Sequence, residues 1–253
     1  GIANLMTYSG RLTHLKAIVS ALPIFAMCCI RVPFTILDHF EKSGRSFLSY
    51  GKGTNKHGNC LVKWEKVCLP KKEGGLGVLD LRMQNRPLLT KYLYKFFNKK
   101  DVPWVNLIWD SYYHSSAQQV TQLYGSFWWR DVLKLYDKFC LLSTPQVHAG
   151  YTVVFWLDSW QIDNRMIALK DRFPRLHSFA IDDTITVKDF FSYQSAVEGF
   201  HLPFSSEAYL ELAQLQTLLQ PISLHPDEKD VWKWPSKSGE YQSKLYYEFT
   251  FSH

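Results

Sequence analysis

The sequence predicts a mainly α chain with minor β, an α+β arrangement in which a helical, basic N-terminal unit precedes a mixed α/β unit with a short hairpin. Three observations lead there. Apolar residues recur at helical spacing between most of the proline and glycine breaks. Only the run YTVVFWL at residues 151–157 and the segment around WKWPSKSGEY have the β-branched and aromatic content of strands. The charge changes sign along the chain: residues 1–100 carry 17 Lys and Arg against 5 Asp and Glu, a net +12, whereas residues 101–253 carry 12 against 18, a net −6. That asymmetry divides the chain into a basic unit, residues 1–117, and an aromatic-rich unit, residues 118–253.

The elements follow in order. Leu12, Leu15, Ile18, Val19 and Leu22 form an apolar stripe over residues 9–22, with Arg11 and Lys16 off it and Pro23 as its stop. Pro33 suits the first turn of a second helix, residues 33–49, with Leu37, Phe40, Phe47 and Leu48 on its apolar face. Residues 50–59, YGKGTNKHGN, are a basic, glycine-rich loop. Gly74, Gly75 and Gly77 prevent a long helix in residues 61–81. A third helix is expected at residues 84–98, with Pro87 in its first turn and Leu89, Tyr92, Leu93, Phe96 and Phe97 as its stripe, and a short one at 103–113. Residues 118–124 read as a linker. Residues 127–142 are helical, with Trp129, Val132, Leu133, Tyr136 and Cys140 on one side. Residues 151–157 are a strand, 205–220 a helix capped by Ser205 with Glu207 in its first turn, and 230–241 a hairpin turning at 235–239. Ser243 caps a last helix.

An aromatic content of 16% supplies a packed core and excludes disorder as the main state. Five cysteines, an odd number, argue against a closed disulfide framework and for reduced intracellular thiols. The apolar run of residues 17–30 contains Pro23 and is shorter than the roughly 20 residues of a membrane span, so no membrane partner is expected.

Little in the chain is arranged for catalysis. Asp182 and Asp183, in FAIDDTI, superficially resemble the paired carboxylates with which polymerases hold two metal ions. No strand precedes them and no third carboxylate matches, so a turn before a helix near Thr186 is the better reading. His57, Cys60 and Cys68 are the only cluster with ligand chemistry and fall short of a four-ligand zinc site. GKGTNKHG lacks the order of a phosphate-binding P-loop. No catalytic residue, metal or cofactor is therefore assigned. The basic front half is the strongest physical signal: Arg11, Lys16, Arg45, Lys52, Lys56, Lys63, Lys66, Lys71 and Lys72 are interleaved with Tyr8, Tyr50 and Trp64, a composition suited to phosphate contacts beside aromatic faces.

YSGRLTHLKAIVSALPIF at residues 8–25 closely resembles the segment after the catalytic palm of plant LINE-type (non-LTR) retrotransposon reverse transcriptases. LVKWEKVCLPKKEGGLGVLDLRMQN at 61–85 resembles the next block of that family, which ends in Gly-Gly-Leu-Gly and an Asn before a helix. FWWRDVL, TVVFWLDSW, RFPRLHSFA, ITVKDFF and WKWPSKSGEYQSKLYYEF resemble the region leading into the family's zinc-binding module. The resemblance implies a thumb and connection up to about residue 100, followed by a spacer before that module.

On this resemblance the chain is a non-catalytic piece of an RNA-directed DNA polymerase, inactive alone, with the palm before it and the zinc ligands after it. It would hold an RNA/DNA primer–template duplex through Arg11, Lys16, Lys63, Trp64, Lys71 and Lys72. The palm and zinc module of the same polyprotein would be its partners, and the nucleus its location. The alternative is a decayed or host-retained copy acting as a protein-interaction or structural domain. Trp128, Trp129, Trp156, Trp160, Trp232 and Trp234 are expected in the core rather than as stacking platforms.

Overall fold

The computed structural model describes residues 5–49, 62–113, 125–162 and 165–251. The loop at 50–59, the linker at 118–124, His57 and Cys60 lie outside them. The chain is mainly α with minor β. It forms two compact units, Gly1–Thr90 with Ser243–His253, and Lys91–Gln242.

In the first unit, Thr7 caps helix α1 (Tyr8–His14) by accepting from the Gly10 N–H at 3.2 Å. The helix then widens into a π turn, Leu15–Val19, in which the Ser20 N–H reaches the Leu15 carbonyl at 2.9 Å. Pro23 closes the stop that the sequence predicts, for the helical turns end at Val19 and residues 20–23 form a turn. It precedes α2 (Ile24–Cys29), where its missing N–H falls among groups that have no helical partner in any case. The run Tyr8–Cys29 is long and apolar enough to cross a membrane, by length and composition alone. Its stripe is only partly used, because Leu15 is buried whereas Ile18 and Leu22 are exposed.

Helix α3 (Phe34–Ser49) matches its expectation and buries Leu37, Glu41, Gly44 and Leu48. The glycine-rich block forms α4 (Trp64–Cys68), a 3₁₀ turn at Lys71–Glu73, and extended chain. Leu15, Leu48, Trp64, Val67, Cys68 and Val78 make one core; Met27, Val32, Leu37, Leu81 and Leu88 make another. Helix α5 (Leu81–Phe97) starts three residues earlier than predicted, because Asp80 Oδ1 accepts from the Met83 N–H at 3.0 Å and caps it. Pro87 consequently lies inside the helix. The last helix of the chain, α13 (Ser243–Phe249), belongs to this unit, and its Tyr247 hydroxyl accepts from the Asp80 N–H at 2.8 Å.

The second unit begins within α5 and buries the aromatic stripe that the spacing predicts. Phe96 stacks on Trp109 at 4.6 Å, and Phe97 stacks on Phe139 at 5.2 Å and tilts against Trp232. Around them stand α6 (Pro103–Ile108), a π turn at Trp109–Tyr113, α7 (Phe127–Leu133) and α8 (Tyr136–Leu142). The single helix expected at 127–142 is thus broken at residues 134–135, yet both halves keep the same buried side. Trp129, Trp156, Trp232 and Trp234 are core residues, as expected, and Trp128 is half-buried.

The β structure is placed differently from the prediction. β1 (Thr144–Gln146) pairs antiparallel with β4 (Val231–Lys233), in the register Pro145 opposite Trp232. The segment at 230–241 is therefore one strand followed by a turn, closed by the Trp234 N–H on the Gly239 carbonyl at 2.8 Å, rather than a hairpin. The hairpin is β2 (Ser159–Ile162) with β3 (Arg165–Ala168).

Residues 151–157 are no strand. They touch residues 185–187 in one bridge, Val154 with Thr186, and otherwise fold around two buried carboxylates. Asp158 Oδ2 takes the Val154 N–H at 2.6 Å, and Asp230 Oδ2 takes the Thr152 N–H at 2.8 Å. Side-chain acceptors here replace a sheet partner. Short helices α9 (Leu169–Arg172), α10 (Pro174–His177) and α11 (Val187–Phe191), and the longer α12 (Ser206–Leu219) capped by Ser205, complete the unit.

Candidate nucleic-acid interface

The first unit carries a second glycine-rich, basic loop, residues 69–77, downstream of the one at 50–59. Its shape comes from glycine. Gly74 has φ +83° and Gly77 φ +63°, in the left-handed region that side chains avoid. A Cβ on Gly75 would stand 2.1 Å from the Leu69 carbonyl oxygen. These turns let the Gly75, Leu76 and Gly77 N–H groups bond back to the Pro70, Val67 and Leu69 carbonyls at 3.2, 3.0 and 2.9 Å. The loop is closed on itself, with Lys71 and Lys72 exposed on its outside. Among the described residues Lys72 pairs with Glu73, at 3.9 Å, a surface pair that costs little to break.

The six predicted contact residues separate into two groups. Lys63, Lys71 and Lys72 are exposed. Arg11, Lys16 and Trp64 are built into the unit. Arg11 is buried, with its guanidinium 6.0 Å from the Tyr8 ring. Lys16 donates its ammonium to the Leu76 carbonyl and so braces the loop from α1's side. Its pKa is lowered, first by burial and then by the neighbouring charge of Lys71. Trp64 lies in the core, and Arg45 covers its ring at 5.5 Å.

Beneath the loop runs a charge network that sequence reasoning missed. Arg82 reaches Asp38 at 2.5 Å and Glu41 at 3.4 Å, and Arg45 reaches the same Glu41 oxygen at 3.4 Å. Glu41 is buried, and its pKa is raised by that burial and by Asp80, against the opposing pull of Arg82 and Arg45. The signal was available, since Glu41 shares the stripe of Leu37, Gly44 and Leu48. Asn85 was also missed as a clamp. Its Oδ1 accepts from the Val32 N–H at 2.9 Å, while its Nδ2 donates to the Met27 and Ile30 carbonyls at 2.9 and 3.0 Å.

The catalytic decoy is a turn. Asp182 Oδ1 accepts from the Thr184 N–H and hydroxyl at 2.8 and 2.7 Å, and Thr186 then caps α11. Burial pushes the Cys68 thiol up to about 12, which makes it a packing residue rather than a thiolate ligand. Among the described residues no three His, Cys, Asp or Glu side chains are grouped to hold a metal ion.

No family model matches the chain, and no solved structure matches it. Two curated proteins of Arabidopsis thaliana do. One, named "Putative ribonuclease H protein", is 32% identical over 160 residues, which cover 61% of this chain and 26% of that protein. The other, an uncharacterized mitochondrial protein, is 27% identical over 146 residues, covering 56% of this chain and 94% of that protein. The chain thus spans about a quarter of the first relative and nearly all of the second.

Proposed function

We propose that this chain is a retroelement-derived, non-catalytic nucleic-acid-binding module that corresponds to the region after the palm of a LINE-type reverse transcriptase. It holds the backbone of an RNA/DNA duplex through Lys63, Lys71 and Lys72. The observation that carries the reading is the braced loop at residues 69–77, which presents Lys71 and Lys72 to solvent on a rigid frame. Such lysines neutralise phosphates without reading bases. The net charge of +12 over residues 1–100 supports it, as does a relative that carries a ribonuclease name.

The test is titration of the whole chain with a labelled RNA–DNA hybrid over a range of salt. Binding should weaken steeply with salt, and replacing Lys63, Lys71 and Lys72 with Gln should lower the slope by about 2 to 3, near 0.9 for each phosphate contact. An unchanged slope would reject the reading. A second reading, a retained copy that acts as a protein-interaction domain, is favoured by the exposed side chains of Ile18, Leu22 and Phe25. It predicts no salt-dependent binding of the hybrid at all.

A further inference from the structure

The second unit carries a cluster of lysines that the duplex reading does not use. Helix α5 ends in a Schellman turn: the Lys99 N–H bonds to the Phe96 carbonyl at 3.0 Å and the Lys100 N–H to the Lys95 carbonyl at 3.0 Å. Lys99 therefore occupies the left-handed position that glycine normally takes, with φ +41°, the only positive φ outside glycine among the described residues. Its ammonium lies 4.1 Å from the centre of the Trp109 ring and 4.7 Å from that of Tyr151. A second ammonium, from Lys188, lies 4.0 Å from the same Tyr151 ring. A third lysine, Lys229, donates to the Lys99 carbonyl at 3.3 Å.

The frame beneath these side chains is rigid. Asn98 pairs reciprocally with the Trp232 backbone, at 3.0 and 3.2 Å. Lys188 N–H bonds to the Gly150 carbonyl at 3.0 Å, and a Cβ on Gly150 would stand 2.7 Å from that nitrogen. The carboxylate whose charge acts on Lys99, Asp230, makes no direct bond to it and is held by backbone donors. Its Oδ1 accepts from the His148 and Gly150 N–H groups at 2.9 and 2.8 Å, and its Oδ2 from the Thr152 N–H and hydroxyl at 2.8 and 3.1 Å. Among the described residues none of the three lysines makes an ion pair. Burial and the charges of Lys229 and Lys188 lower the Lys99 pKa against the pull of Asp230, so an added anion would relieve a standing repulsion.

We propose that Lys99, Lys188 and Lys229 form an anion site around Tyr151 for closely spaced phosphates, as found in an oligophosphate or along a nucleic-acid strand. Two ammonium groups held over one ring, with a third beside them, suit a ligand that carries several adjacent charges better than a lone carboxylate. The site is independent of the duplex reading, because it shares no residue with Lys63, Lys71 and Lys72.

Calorimetric titration of the whole chain at low salt with inorganic tripolyphosphate, and separately with a short oligothymidylate, tests it. Lys99→Gly suits the left-handed backbone while deleting the charge, and Lys188→Gln keeps every backbone bond. Each should weaken binding of the probe about tenfold, the share of one charged hydrogen bond. Lysine acetylation read by peptide mass spectrometry should show protection of Lys188 and Lys99 by the probe, with Lys134, already paired to Asp131 at 2.7 Å, unaffected. Tighter binding of the oligothymidylate assigns a nucleic-acid strand, and tighter binding of tripolyphosphate a free oligophosphate. Failure of both probes to bind, or unchanged affinity in both variants, overturns the site, whatever the hybrid titration shows.

Discussion

Tyr136 donates its hydroxyl to Asp158 Oδ1 at 2.9 Å, inside the second unit. Cys140 Sγ approaches the same oxygen at 3.5 Å, and the Val154 N–H holds the other at 2.6 Å. Burial pushes the Asp158 pKa up to about 6, against these donors, and keeps the Tyr136 hydroxyl and Cys140 thiol protonated. The folded chain therefore binds a proton more tightly than the unfolded chain. The contribution of Asp158 to stability should be fully present below about pH 4 and be lost as the pH rises through about 6, by roughly 3 kcal/mol. Urea midpoints across that range should fall more steeply in the parent than in Asp158→Asn, where the raised Glu41 carboxyl still contributes. The opposite slope would contradict the assignment.

Asn85 bonds to three backbone groups, the Val32 N–H and the Met27 and Ile30 carbonyls. Asn85→Leu should cost about 3 kcal/mol in urea denaturation, because a buried N–H and two carbonyls lose their partner. Asn85→Asp should cost more, since a carboxylate would face the Met27 and Ile30 carbonyls. Equal stability of parent and Asn85→Asp would show that this geometry is not the one in solution.

The two neighbouring glycines of the basic loop should respond differently. Gly74 has open space but a left-handed backbone, so Gly74→Ala should cost about 1 kcal/mol. Gly75→Ala drives a Cβ onto the Leu69 carbonyl and should cost more than about 3 kcal/mol, or open the loop. Thermal melts of both variants decide it, and a reversed order would mean the turn is misassigned.

Lys16→Met keeps the stem of the side chain and removes the donor to the Leu76 carbonyl. The expected loss is about 1 to 2 kcal/mol of stability. Hybrid binding should weaken through a loosened loop, with the salt slope nearly unchanged. A fall in slope of about 0.9 would instead make Lys16 a direct phosphate contact.

The sequence by itself determined the local elements whose apolar residues repeat at one period. Leu37 and Leu48 on α3, Leu93, Phe96 and Phe97 on α5, and Trp129, Val132 and Leu133 on α7 are buried where the spacing places them. Ser205 caps its helix for a reason that is equally local. The tertiary structure decided everything that depends on partners distant in the chain. YTVVFWL has the composition of a strand, but beyond its one bridge to residues 185–187 Asp158 and Asp230 supply acceptors, and Asp230 lies about 80 residues away. The Trp232 segment has the look of a hairpin, yet its partner strand is Thr144–Gln146. Arg11, Lys16, Lys71 and Lys72 are equivalent cations in a sequence. Which of them remains free for an anion depends on which backbone and ring they meet after folding, and burial and hydrogen bonding to distant residues set that choice.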